Sequence, residues 1–296
     1  MSLKASKVIN DNRSSSKLYG ITVFGIIYLL AYILGFMLGR LSQQFLWEML
    51  VFDLSATVVI WVGSLFLRNS SLYDPYWSLT PLVMVGYGIL RFHSGLNVFH
   101  YIFFASFALW SIRLTGNWII TFDGIHWEDW RYRKYRELPP MLWHIANFFG
   151  IMIVPTLFVF AGMVPVFYFF TVRATARSLI GTALVLFGTS LEFFADRQIH
   201  HHLRSADKMQ TCREGLWKYS RHPNYLGEIL IWVGAYLALV CTAPGYWYLF
   251  GGVVAMIFLF LVISIPMAEK RQLSRRPDYQ DYRKKTAMLL LLPLWK

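Results

Sequence analysis

An all-α, polytopic membrane bundle is the fold class that this sequence predicts, and three observations predict it. Hydrophobic residues make up 56% of the 296 positions, aromatic residues 18% and charged residues only 15%, a composition suited to lipid. The apolar residues fall into eight runs, each near the ~20 residues a helix needs to cross hydrocarbon. Of the 28 Lys and Arg residues, 24 lie in alternate segments between those runs. Basic residues accumulate on the cytoplasmic side, so this pattern predicts an even number of crossings with both termini cytoplasmic.

Taken in order, residues 1–17 form a polar tail rich in Ser, Asn and Lys that is expected to be mobile, and 18–296 reads as a single membrane domain. The first run, 18–39, is too long for the apolar region of a cleavable signal peptide. The second, 45–67, carries Glu48 and Asp53 in apolar surroundings. Runs 76–90 and 98–114 are short, as suits tilted or partly re-entrant passage, and 143–170, 179–195, 226–241 and 246–268 complete the set. The formal charge of +12 is then mainly a topological signal, with a secondary role in attracting an anionic cofactor or lipid head groups. Spread over several membrane-flanking loops, it does not make a nucleic-acid surface. Cys212 and Cys241 are far apart and differently placed, so no disulfide is expected. No repeat or soluble domain is evident, and nothing specifies an oligomeric state.

Three polar segments carry the chemistry. The first, 123–138, contains Glu128-Asp129-Trp130-Arg131-Tyr132-Arg133-Lys134-Tyr135-Arg136. Its Trp, Tyr and long basic side chains suit the head-group level, and a loop folding over a cytoplasmic site is the alternative. The second follows the sixth run: Glu192, Asp196 and His200 succeed one another at single-turn spacing on one helix face, with Arg204 and Lys208 beyond. Asp196 could accept from a carboxamide, a ribose hydroxyl or an Arg, and Arg204 could bind phosphate. His200-His201-His202 points in different helical directions and lacks converging ligands elsewhere, so no metal site is expected. The third runs from Gly215 to Glu228. Pro223 suits the first turn of a helix that places Asn224 and Glu228 on a shared face, where an amide and a carboxylate can read a carboxamide, and Arg221 at the interface can take a phosphate. Glu228 opens an apolar span, where an unmatched charge is expensive.

Gly215-Leu216-Trp217, Ser220-Arg221-His222-Pro223-Asn224-Tyr225 and Leu226-Gly227-Glu228 resemble the C-terminal region of the steroid 5-alpha-reductase superfamily. Asp74-Pro75-Tyr76-Trp77-Ser78, Trp110-Ser111-Ile112-Arg113-Leu114 and Asn117-Trp118 extend the likeness to a membrane branch of it, over 73–296. The resemblance implies an α-helical membrane fold in which cytoplasmic loops and helix ends hold NADPH and a lipid-like substrate enters from the bilayer. It implies no Rossmann domain, and no strand-linked Gly-x-Gly-x-x-Gly segment is found. By this resemblance Asp196, Arg204, Asn224 and Glu228 match cofactor-binding positions, with Tyr225 in the same motif. Where that superfamily carries Asn one turn before the Asp, this chain has Glu192. In the tail, Arg271, Tyr282 and Lys285 are candidates to clamp a cofactor phosphate.

The implied reaction is NADPH-dependent reduction of a carbon–carbon double bond in an enone or sterol-type lipid. By positional analogy the proton donor pairs Glu48 with Tyr76 or Tyr87, and Asp53 is a competing carboxylate. Arg221-His222-Pro223, Tyr225, Gly227, Glu269 and Arg271 also resemble isoprenylcysteine and phospholipid methyltransferases, which bind S-adenosylmethionine. A non-catalytic lipid-binding membrane protein is the third reading. The expected address is the endoplasmic reticulum of a eukaryote or the inner membrane of a bacterium.

Overall fold

The computed structural model describes the backbone of residues 3–205 and 209–291, and side chains from residue 16 onward. Lys208 lies outside the described residues. Those residues form helices joined by loops, and among them the only β pairing is an isolated parallel bridge between Ser220 and Ala287. Among the described residues, seven helices are long and apolar enough to cross a membrane: Ser16–Gly39, Phe45–Leu67, Val98–Thr121, Pro140–Phe169, Ala176–His202, Pro223–Val240 and Pro244–Arg275. The remaining expected run, 76–90, falls in a 17-residue helix, Tyr76–Phe92, that contains Pro81 and is about 26 Å long at 1.5 Å per residue. That is at the lower limit for crossing hydrocarbon. The fourth span is longer than the sequence suggested, because the helix continues through Leu114–Thr121 rather than stopping at the first polar residues.

The chain divides into two compact units, Met1–Tyr87 with Leu114–Phe160, and Gly88–Arg113 with Ala161–Lys296. In the first, α1 (Leu3–Gly39) packs on α2 (Phe45–Leu67). The backbone of α1 continues N-terminally through the polar tail as far as Leu3. Close approach is set by Gly39, where a Cβ would sit 2.7 Å from the Glu48 carbonyl oxygen. Phe24, Tyr28, Ala56, Ile60, Leu72 and Phe122 fill the core.

The motif residues of this unit interlock. Asn69 caps the 3₁₀ turn Ser70–Tyr73 by accepting from the Ser71 N–H at 2.9 Å, and donates to the Trp127 carbonyl at 2.8 Å. Glu128 accepts from the Ser70 N–H and from Arg136 through both oxygens. Asp129 caps α5 (Trp130–Arg133), and Asp74 accepts from the Tyr132 hydroxyl at 2.6 Å and from Arg131 at 3.1 Å. The stretch from Asp123 to Leu138 is therefore pinned to the turn before α3 (Tyr76–Phe92) by reciprocal caps.

In chain order there follow α6 (Pro140–Ile145), α7 (Val154–Phe169), α8 (Leu179–His202), α9 (Pro223–Val240) and α10 (Gly251–Phe258), and the second unit is organised around α8 and α9. Gly181 and Gly188 on α8 meet Gly234 and Gly227 on α9: a Cβ on Gly181 would lie 2.3 Å from the Gly234 carbonyl oxygen, and one on Gly188 2.6 Å from that of Gly227. Small residues at seven-residue spacing let the two backbones touch, the usual means of close association in lipid. Part of α4 (Val98–Thr121) also belongs to this unit, with Trp110 fully buried. The C-terminal α11 (Ile265–Arg275) and α12 (Tyr279–Lys285) fold back onto the segment that precedes α9.

Candidate functional site

In the second unit, the contact of α8 with α9 brings acidic and amide groups together. Glu192 and Asp196, one turn apart on α8, both bind Arg113 of α4: Nη1 reaches Asp196 Oδ2 at 2.9 Å and Nη2 bonds Glu192 Oε2. From α9, Asn224 hydrogen-bonds Asp196, and Glu228 comes within bonding reach of Glu192. Trp110 Nε1 donates to Glu228 Oε1 at 3.1 Å. The approach of Gly227 sets this geometry, since its own Cβ would strike Glu192 Cγ at 2.5 Å.

Three carboxyl groups thus surround one guanidinium. Glu192 Oε1 and Glu228 Oε2 are buried and receive no hydrogen bond of good geometry among the described residues, with the Trp232 indole near Glu228. Buried acceptors left in surplus are costly, and they suit a ligand that supplies N–H or O–H groups.

The rest of the Gly215–Glu228 segment is scaffold. Gly215 adopts φ 56°, and any Cβ there would meet the Gln198 side chain, which accepts from the Leu216 N–H at 2.9 Å. Trp217 Nε1 donates to the Ala195 carbonyl at 3.0 Å, fixing the loop beside Asp196. Arg221 is buried and committed to protein partners: Nε donates to Glu269 Oε1 at 2.8 Å, and Nη1 donates to the carbonyls of Arg283 and Thr286. His222, the residue before α9, stacks on Tyr225 and lies 3.3 Å from Glu269. Burial lowers the His222 imidazole below its ordinary value against the opposing pull of Glu269.

The expected phosphate clamp of the tail has a different occupation. Tyr282 is buried and donates its hydroxyl to the carbonyls of Trp217 and Ser220. Lys285 is exposed and pairs with Asp281 one turn back at 3.1 Å, and Arg271 is half-buried on α11. Asp278 accepts from the Thr211 hydroxyl at 2.9 Å and from Arg213 at 3.1 Å. Arg204 is exposed on the turn after α8 and does not join the acidic cluster. Of the residues proposed to converge, Asp196, Asn224 and Glu228 do so, and Arg221 and Tyr282 latch the tail instead. Arg113 and Trp110 were absent from that expectation; a lone Arg in the otherwise apolar stretch 98–120 was the signal that could have found them.

Besides Asp74 with Tyr132, the first unit holds two further acid–phenol pairs. Tyr87 donates to Glu48 Oε1, with Phe36 packed against its ring at 4.7 Å. Tyr76 donates to Asp53 Oδ1 at 2.8 Å and accepts from Thr57, which continues through Thr156 to Tyr73 at 3.1 and 2.9 Å. Glu48 is therefore the partner of Tyr87, and Tyr76 belongs to Asp53. Among the described residues no group of three or more His, Cys, Asp or Glu side chains is disposed to hold a metal, and His202 gives its ring to the Gln210 carbonyl.

Long apolar helices and charged groups buried between them define an integral, multi-pass α-helical membrane protein. The chain belongs to the family described as "Protein of unknown function (DUF1295)", whose model matches residues 60–286. It is similar to an uncharacterized protein of Schizosaccharomyces pombe, 26% identical over 264 residues, covering 77% of this chain and 74% of the relative. No solved structure matches.

Proposed function

We propose that this chain is an NADPH-dependent reductase of a carbon–carbon double bond in a lipid-like substrate, of the steroid 5-alpha-reductase kind. The observation that carries the reading is the pair of buried acceptors at Glu192 Oε1 and Glu228 Oε2, with Asp196 and Asn224 beside them. A carboxamide and ribose hydroxyls bring the donors such a site lacks, and the Asn224 amide can serve as donor or acceptor. NADPH, when bound, supplies the hydride. Exposed cations that follow α8 and line the tail, Arg204 and Lys285 among them, suit its phosphates. Arg113 bridges Glu192 and Asp196 and offsets the repulsion between the two carboxylates.

The proton donor in this reading is Tyr87. Glu48 accepts from the Tyr87 hydroxyl and positions the phenol; on substrate binding that hydroxyl would turn from Glu48 to the substrate carbonyl and give its proton to the carbonyl oxygen, leaving a phenolate to be reprotonated. Asp53 and Tyr76 form the competing pair, but Tyr76 is engaged on both sides, by Asp53 and by Thr57. Glu48 and Asp53 lie on α2, a helix long and apolar enough to cross lipid, which suits a substrate entering from the membrane. The endoplasmic reticulum or a bacterial inner membrane is the fitting address, with both termini cytoplasmic.

The Arg221–Glu269 pair carries the part of the sequence that also resembles S-adenosylmethionine-dependent methyltransferases, which makes that cofactor the proper control. Detergent-purified protein should be stabilised thermally by NADPH and not by S-adenosylmethionine. Asn224→Ala and Glu228→Gln should weaken that stabilisation at least about tenfold in NADPH concentration while leaving the ligand-free melting temperature near wild type. Stabilisation by S-adenosylmethionine alone would transfer the protein to the methyltransferases, and stabilisation by neither would leave a lipid-binding role.

A further inference from the structure

We infer that the first unit carries a binding site for the phosphate of an anionic lipid head group, independent of the proposed reductase chemistry. A cleft of about 750 Å³ opens between the start of the α1 span and the end of α2, closed on its third side by the segment that includes Ile125, His126 and Arg133. Its polar wall is strongly basic. Arg68, Arg133, Arg136 and His126 line it against a single carboxylate, Glu128.

Charge balance decides what the cleft can hold. Glu128 is already neutralised, because Arg136 grips both of its oxygens at 2.6 and 2.7 Å while the Ser70 N–H takes Oε1 as well. Arg68 and Arg133 remain as exposed cations in excess. Arg68 is held there by backbone geometry: it closes α2 in the left-handed conformation, φ 50°, and its carbonyl accepts from Arg136 at 2.6 Å. Two guanidinium forks across one cleft match the paired oxygens of a phosphate.

The apolar part of the same cleft identifies the source of that phosphate. Tyr19 and Phe66 line it and are 65% and 83% exposed, on helices whose apolar runs begin at Leu18 and end at Leu67. The cations therefore stand at the level where a span emerges from hydrocarbon, and the aromatic and apolar rim faces acyl chains. An anionic phospholipid offers both halves of this complement, a phosphate for the arginines and a tail for Phe66. A soluble phosphate offers only the first.

The test uses the full chain in detergent, titrated with short-chain phosphatidic acid, short-chain phosphatidylcholine and inorganic phosphate, and read by thermal shift. Phosphatidic acid should bind at least about tenfold more tightly than either of the other two. The exposed double variant Arg68→Gln/Arg133→Gln should lose that preference with an unchanged ligand-free melting temperature. Native mass spectrometry should find anionic lipid retained on the wild type and lost from the double variant. Equal binding of phosphatidylcholine, inorganic phosphate binding as tightly as phosphatidic acid, or an undiminished preference in the double variant would each overturn the assignment.

Discussion

Arg221 and Glu269 form a buried ion pair across 48 residues of sequence, with Nε donating to Oε1 at 2.8 Å, and this contact ties the C-terminal tail to the start of α9. The same guanidinium takes the Arg283 and Thr286 carbonyls, and the Arg221 N–H bonds the Ala287 carbonyl at 2.9 Å. Removing one partner of such a pair leaves the other buried and uncompensated, at a cost of about 3 kcal/mol. Arg221→Met should therefore release α12, visible as faster amide exchange over Tyr279–Lys285. Lys285→Ala, which breaks only an exposed pair one turn long, should change stability by no more than about 0.5 kcal/mol. Equal protection of α12 in Arg221→Met and wild type would refute the latch.

The α8–α9 contact depends on bare backbone at Gly181. A methyl group there would stand 2.2 Å from the Ala238 nitrogen, an atom that cannot turn aside. Gly181→Ala should lower stability by about 2 kcal/mol through overpacking. Gly25→Ala, whose added carbon meets nothing within 4 Å, should be neutral or slightly stabilising, since Ala favours a helix. Thermal melting of the two variants in detergent separates these outcomes; similar losses in both would mean that the two helices do not touch through their glycines.

The spans and the single-turn spacings of Glu192 with Asp196, and of Asn224 with Glu228, were legible in the sequence because both depend on local periodicity. What pairs with them was not. Arg113 reaches Asp196 across 83 residues, and no local rule selects it over the other arginines. The motif around Arg221 had the same ambiguity: the residue types that bind a phosphate are also those that bind a carboxylate and two carbonyls, and only tertiary placement chooses. Likewise Glu48 could have met Tyr76 or Tyr87, and the choice rests on which turn of α3 faces which turn of α2. The glycine spacing of α8 and α9 was present in the sequence, but its meaning needed the antiparallel partner.

Asp74 sets a pH dependence. Burial raises its carboxyl from an ordinary 3.8 to about 6, against the lowering influence of Arg131 and the hydroxyl bond from Tyr132. The folded protein then holds this proton where the unfolded chain has already released it. Stability from this group is accordingly full below about pH 4 and is lost as pH rises through 6. Asp74→Asn removes that slope, so the difference in melting temperature between variant and wild type should change progressively from pH 4 to pH 6 and stay constant above. A constant difference across the whole range would show that Asp74 does not titrate there.

Arg113 is the residue on which the acidic cluster depends most. Its guanidinium binds both Glu192 and Asp196 on α8, while Glu228 adds a third carboxyl from α9. Arg113→Met should destabilise the protein by about 3 kcal/mol or more, because two carboxylates lose their counter-charge together. Arg113→Lys should recover only part of this, since one ammonium cannot span two acceptors as the planar fork does. Glu192→Gln added to Arg113→Met should restore stability relative to Arg113→Met alone, because it removes a buried charge that nothing then balances. A double-mutant cycle in which the two changes simply add would mean that Arg113 and Glu192 are not coupled. The order of stability expected is wild type, Arg113→Lys, the double variant, then Arg113→Met, and NADPH stabilisation should be weaker in all three variants than in wild type.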